Sequence, residues 1–264
     1  MKMKSVPTAF AVLDILGYGE LMRRDPDEVL TIVQELLRAS ERNWIVQRDL
    51  DQFAHFSGTA HAPVIKYLQF SDTLLIWLPS DPLVPTLPQT PAQLVRSICY
   101  AASLTLASFI AAGLPLRGAI GFGPTFVSRD PLFFTGGELY ESAKLERKQA
   151  WAGAALHDSA AKALTVLPDE PFIVEYSVPM SEAASPKPTL AVDWVSCCLS
   201  SSATIVPPWD LMFSSKDAKV QKKREETRRF FETLEPQHRP FPVRLAQETI
   251  ADIRERLTGI LSVH

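Results

Sequence analysis

The stretch from Thr90 to Leu116, TPAQLVRSICYAASLTLASFIAAGLPL, is apolar or small at every position between Ser97 and Gly113. Any fold of this chain must find an enclosed place for it. A membrane span wants about 20 apolar residues. This run is shorter, carries Arg96 at its edge, and is dominated by Ala and Ser. Thr90 suits an N-cap, Pro91 the first helical position and Gly113 the C′ position. The segment therefore predicts a helix buried against a sheet or a second subunit rather than a span.

The rest of the chain can supply that enclosure. It has 264 residues, of which 46% are hydrophobic. That is enough for a sizeable core in one large domain, or in one domain plus an extension. The 27 basic and 30 acidic side chains give a net charge of −3. A dedicated nucleic-acid binder would present a basic face, so that class is disfavoured. Cys99, Cys197 and Cys198 form neither a disulfide framework nor a CxxC zinc pair, which fits a reducing, cytoplasmic location. The start MKMKSVPTAFAVLDI is basic, but Asp14 interrupts its apolar run and no small-residue cleavage site follows, which speaks against a signal peptide.

Strand and helix patterns alternate, predicting α+β or α/β layering. Residues 8–15 (TAFAVLDI) read as a strand, followed by a turn with Gly17 and Gly19. Residues 20–38 read as a helix whose apolar side holds Leu21, Val29, Val33, Leu36 and Leu37, with Pro26 placed to break its first turn. Residues 64–70 and 73–78 read as a hairpin with Ser71 and Asp72 at the tip. LRGAIGFGP, 116–124, reads as a strand whose glycines admit a close backbone or ligand. Glu141 to Ala152 reads as a helix that Gly153 ends, and 172–178 and 189–195 read as strands. The linker 179–188 is Pro- and Ser-rich and reads as an exposed loop. Past Pro207-Pro208, residues 216–234 form a charged amphipathic helix and 245–261 a second one. The expected division is a main domain over 1–204 and a helical extension over 205–264, packed on the domain or bracing a dimer.

Two carboxylates stand out. Asp14 ends a buried strand ahead of a glycine turn into a helix, where α/β sites gather ligands. It can equally be a simple helix cap. Asp72 sits at the tip of an apolar hairpin, a place where Asp also serves as an ordinary turn residue. If the first strand lies beside the hairpin, the two converge at one edge. Paired carboxylates without clustered His or Cys suit hard ions such as Mg²⁺ or Mn²⁺, which commonly accompany a phosphate chain.

This order of features resembles the class III nucleotidyl cyclase family. AVLDILGYGEL is similar to that family's strand ending in Asp-Ile-x-Gly-Phe. FSDTLLIW is similar to its Gly-Asp hairpin, with Ser71 where Gly is usual. GLPLRGAIGFG resembles its Arg-Ile-Gly-Ile-His-x-Gly strand, and GGELYESAKLE its Asn-containing helix. The resemblance covers about residues 8–165. It implies a ferredoxin-like-derived α+β cyclase fold, with a mostly antiparallel central sheet, helices packed on it and a C-terminal helical extension. It further implies two divalent ions, Mn²⁺ or Mg²⁺, on Asp14, Asp72 and the Ile15 carbonyl, and phosphates held by the N–H groups of Leu16, Gly17, Tyr18 and Gly19.

The departures from the family pattern point to a different base. The purine-reading Lys falls on Leu68, beside Tyr67 and Lys66, and the second base-reading acid falls near Phe133. The transition-state Asn and Arg fall on Tyr140 and Lys144. Lys144 keeps a cation without the guanidinium fork. Lys66, Tyr67, Leu68, Phe133 and Arg117 are the base or substrate candidates, and strand alternation puts only one of Lys66 and Tyr67 on the substrate side. Arg117 either contacts base or phosphate or ties the sheet to a neighbouring acid. Together these features resemble the bacterial pyrimidine cyclases of Pycsar antiphage systems. That resemblance implies a uridylate cyclase making cyclic UMP from UTP in a homodimer with shared sites, read by a separate cyclic-nucleotide-sensing effector. The alternatives are a cytidylate cyclase using CTP, or an inactive nucleotide-binding regulator.

Other features read as bystanders. Gly136-Gly137-Glu138-Leu139 looks like the GGDEF-type signature of diguanylate cyclases but sits before a helix, not at the metal hairpin. His55, His61, His157 and His238 lack ligand spacing. Lys222-Lys223-Arg224 alternates with Glu225-Glu226 and reads as a solvated helix face.

Overall fold

The computed structural model describes residues 5–49, 65–79, 90–129, 132–164, 172–181, 187–200, 204–212, 214–237 and 245–262. The strands are β1 (Val6–Ile15), β2 (Lys66–Phe70), β3 (Thr73–Pro79), β4 (Leu116–Arg129), β5 (Leu132–Thr135), β6 (Gly153–Leu156), β7 (Ile173–Glu175) and β8 (Leu190–Val192). The helices are α1 (Tyr18–Arg24), α2 (Pro26–Asp49), α3 (Pro91–Ala112), α4 (Gly137–Lys148), α5 (Asp158–Ala163), α6 (Val195–Leu199), α7 (Trp209–Met212), α8 (Ala218–Leu234) and α9 (Gln247–Ser262).

β1 organises the sheet. It pairs antiparallel with β3 on one edge and with β4 on the other. A strand enclosed on both edges and both faces needs apolar side chains almost throughout, which VPTAFAVLDI provides. Alternation divides them. Ala9, Ala11, Leu13 and Ile15 enter the main core, while Phe10 and Val12 join Leu75 and Trp77 in a second cluster on the opposite face. The eight-stranded sheet runs β2-β3-β1-β4-β6-β8-β7, with β5 paired to β4. Among the described residues, only β4–β6 is parallel. The architecture is a mixed α+β fold, a mostly antiparallel sheet with helices packed on it.

The apolar run is α3, and it lies in the middle of the main core. It is long and apolar enough to cross a membrane, yet 94% of its most apolar window is buried inside the protein. Its ends match the expected chemistry. The Thr90 side chain accepts from the Gln93 N–H, the Gln93 side chain accepts from the Thr90 N–H, and Gly113 takes φ 101°.

Two local readings need correction. The helix expected over 20–38 is two helices, because Pro26 starts α2 after Asp25 leaves helical geometry (φ −150°). A proline fits the first helical position, where no N–H is needed. The helix expected to run to Ala152 stops at Lys148, since Gln149 is extended and Gly153 opens β6 instead of ending a helix. At the glycines of β4 the first of the two expectations, a close backbone, is met: a Cβ at Gly118 would meet Leu13 and the Val12 carbonyl, and one at Gly121 would meet Phe10 and Ser142. His55, His61, His238 and much of the linker 179–188 lie outside the described residues.

The C-terminal helices pack on the same core. Phe230 of α8 contacts Trp151 (centroids 4.7 Å apart) and Tyr176 (4.7 Å), and Phe231 contacts Trp194 (6.0 Å) and Trp209 (5.7 Å). In α9, Arg254 donates from Nε to the Ala111 carbonyl at 2.5 Å. A cation at the C-terminus of α3 also complements that helix's dipole.

Candidate functional site

The last residues of β1 bring the two acids to one edge. Asp14 lies opposite Thr73 of β3, and the Ile15 N–H donates to the Asp72 carbonyl at 2.9 Å. Asp14 is thereby set beside the hairpin tip. The tip is held in turn. Ser71 adopts φ 58°, a conformation that favours Gly. The Gln69 amide donates to the Ser71 carbonyl at 3.2 Å. Tyr18 is buried, and its phenol pKa is pushed up first by that burial and then by Asp72.

On the other edge of β1, Arg117 lies opposite Asp14. It donates from Nε to Glu146 Oε1 at 2.5 Å, from Nη2 to Asp14 Oδ2 at 3.4 Å and from Nη1 to the Gln149 carbonyl at 3.4 Å. Of its two expected roles, the tie between sheet and acid is the one visible. Glu146 was missed by the sequence reading, although it ends the quoted GGELYESAKLE segment. An acid on a helix face that also carries buried Ser142 was the available signal. Gln149 secures this floor, donating from Nε2 to the Gly118 carbonyl at 2.6 Å and accepting from Trp151 Nε1 at 2.8 Å.

The turn after β1 contains Gly17 at φ 83°. The Leu16 N–H is already donated to the Pro115 carbonyl at 2.9 Å, which removes Leu16 as a phosphate donor. Gly17, Tyr18 and Gly19 remain, at the start of α1, where amides lack intrahelical partners.

The other candidates separate. Tyr67 is partly buried and packs against the main core, where burial pushes its phenol pKa up. Leu68 faces the opposite side, against the Phe10 cluster. Alternation puts the half-buried Lys66 on that side too. Phe133 pairs with Ser128 in β5, and its side chain lies outside the described residues. Tyr140 is 65% exposed. Lys144 pairs with Glu141 at 2.9 Å and lies over the Tyr140 ring at 5.3 Å. Neither contacts Asp14 or Asp72 among the described residues.

The donor set at the acid edge is oxygen only, which fits a hard divalent cation. Among the described residues, no group of three or more His, Cys, Asp or Glu could hold a metal by itself. A cation here would draw its remaining ligands from substrate and water.

Burial raises the pKa of Asp14 most, Arg117 opposes the rise and Asp72 adds to it. An acid whose folded pKa lies above its unfolded value destabilises the fold once ionised, and the penalty fades as pH falls through the folded pKa. Asp14→Asn is therefore expected to melt higher than wild type at neutral pH, with the gap closing as the pH is lowered through the carboxylate range. Melting curves against pH check this; an Asn variant melting lower at pH 7 would contradict it.

No protein-family model matches the chain, and no curated protein matches it in sequence. Among solved structures it is similar to the monomeric guanylyl cyclase domain of the RhoGC fusion protein from the aquatic fungus Blastocladiella emersonii, at 13% identity and TM-score 0.43, over 62% of this chain and 88% of that one. It is similar to the guanylyl cyclase Cya2 at 11% identity and TM-score 0.40, over 73% and 93%. It is also similar to a class III adenylyl cyclase-like ATP-binding protein from Pseudomonas aeruginosa, at 12% identity and TM-score 0.42, over 97% of this chain and 44% of that one. Likeness of this degree carries no conclusion about this chain's chemistry.

Proposed function

We propose that this chain is a pyrimidine nucleotide cyclase, converting UTP to 3′,5′-cyclic UMP and diphosphate, as a homodimer whose product signals in antiphage defence. The observation that carries the reading is the meeting of Asp14 and Asp72 at one sheet edge, tied by the Ile15–Asp72 backbone bond, with Arg117 alongside. It joins the four motifs by which the sequence resembles class III cyclases. Mn²⁺ or Mg²⁺ bound there would activate the ribose 3′-hydroxyl and offset triphosphate charge.

The chain's own residues do the rest. Asp14 and Asp72 orient the reacting end of the nucleotide. Arg117, held by Glu146, presents a fixed cation to the phosphates, and the Gly17–Gly19 amides approach them from the turn. Leu68 packs in an apolar cluster and offers no hydrogen bond, which supports a base pocket without the purine-reading lysine. Lys144 and Tyr140 face outward, an arrangement that suits a partner's site: each protomer would supply the transition-state cation to the other. Cytidylate cyclase is the neighbouring reading, and loss of catalysis with retained nucleotide binding is the reading from another class.

Incubation with Mn²⁺ and each of the four nucleoside triphosphates, with products identified by mass spectrometry, is expected to give cyclic UMP alone. Cyclic CMP would move the assignment to the other pyrimidine, and no cyclic product would leave a regulator. Mixing inactive Asp72→Ala and Lys144→Ala proteins tests the shared site. About a quarter of wild-type activity is expected on statistical mixing, because mixed dimers keep one intact site. No recovery would argue for self-contained protomers.

A further inference from the structure

Lys223 does not lie on the solvated face that its neighbours suggest. The buried positions of α8 are Thr227, Phe230, Phe231 and Leu234. Lys223 lies one turn before Thr227 on that stripe, after half-buried Val220. By contrast Lys222 is exposed, and Arg224 pairs with Asp210 at 2.5 Å.

A chain of hydrogen bonds ties the backbone of α8 at Lys223 to the strand beside the candidate site. The Ala152 N–H donates to Thr227 Oγ1 at 2.8 Å, and that hydroxyl donates to the Lys223 carbonyl at 2.7 Å. Ala152 precedes Gly153, the register partner of Arg117, which is in turn the partner of Asp14. Lys223 also lines a cavity of about 180 Å³ with Leu16, Gly17, Ser214 and Ser215, between the glycine turn and the extension, and Glu20, held by Arg23 and Arg24, is the acid on its wall.

Half-burying a lysine on a helix stripe carries a cost unless a partner offsets it. Among the described residues, no carboxylate forms an ion pair with its amine. The charges that act on it are Arg117, which repels it, and Asp14, Glu146 and Asp217, which attract it. Burial and Arg117 lower its pKa, in that order. Lys223 lines the cavity and is repelled by the nearby Arg117, and an anion placed between the two cations relieves that repulsion.

We propose that Lys223, on the C-terminal extension, is a phosphate-binding residue of this site and engages the triphosphate of the nucleotide together with Arg117. This rests on the nucleotide reading above and deepens it. The extension then completes the substrate site of its own chain as well as packing on the core.

Calorimetric titration of inorganic triphosphate with Mg²⁺ into the full-length protein tests it without turnover. Lys223→Gln is expected to weaken binding about tenfold or more and to flatten its salt dependence. Lys223→Arg should restore most of the affinity, and Lys222→Gln should leave it unchanged. Should the Gln variant fail to fold, Lys223→Met, which keeps the aliphatic stem, reports the same loss. Wild-type affinity in Lys223→Gln or Lys223→Met would overturn the proposal while leaving the nucleotide reading standing. A wild-type protein that binds no triphosphate would overturn the nucleotide reading, and the proposal with it.

Discussion

Asp14→Ala and Asp72→Ala are each expected to lower cyclase turnover by a factor on the order of a hundred to a thousand, without unfolding the protein. Cation stabilisation of developing charge contributes several kcal/mol, and each 1.36 kcal/mol is a factor of ten in rate. Asp72 is a half-buried residue at a hairpin tip, so its loss costs the fold little. Asp14 stands near a like charge and is raised in pKa by burial, so its removal relieves strain as well as function. Its loss also frees Arg117 on one side, although Glu146 at 2.5 Å still holds the guanidinium. Turnover with Mn²⁺ and UTP, measured beside thermal melting, separates the effects. Near-wild-type turnover in either variant would remove that acid from the reaction.

Phe230→Ala is the largest expected effect on stability. The ring is fully buried and contacts Trp151, Tyr176 and Trp194. Truncating a buried Phe removes transfer energy and leaves a cavity, about 3–5 kcal/mol in all. Because Trp151 lies just before β6 and Trp194 just after β8, the same ring couples the extension to the sheet. Urea unfolding is expected to remain a single transition, shifted as a whole. A loss under about 1 kcal/mol, or an early separate transition, would mean that residues 205–264 fold independently of the body.

The parts of the fold legible in the sequence are those whose signal is local. α3 announced itself by its run of small and apolar residues and by the Thr90 cap. β1 and the β2–β3 hairpin followed from their short apolar runs and the Ser71-Asp72 turn. What stayed hidden depended on distant partners. Nothing near Gly153 distinguishes a helix stop from a strand start, because the choice is made by pairing with Arg117. Tyr67 could not be assigned a face until the main core was in place against it. Lys223 looked like one charge in a charged run, and only the packing of Thr227 and Phe230 turns it inward. The acid pair was legible because both members lie at strand ends, where chain order predicts position. Arg117–Glu146 was not, because it spans from a strand to a helix.

The central claim is that Asp14 and Asp72 together hold cations that carry a nucleoside triphosphate. Mn²⁺ binding followed by electron paramagnetic resonance, with a non-reactive methylene analogue of UTP present, tests it most directly. Wild-type protein is expected to bind two Mn²⁺ per protomer, and an Asp14→Asn/Asp72→Asn double variant to lose both. Equal stoichiometry and affinity in the two proteins would contradict the claim.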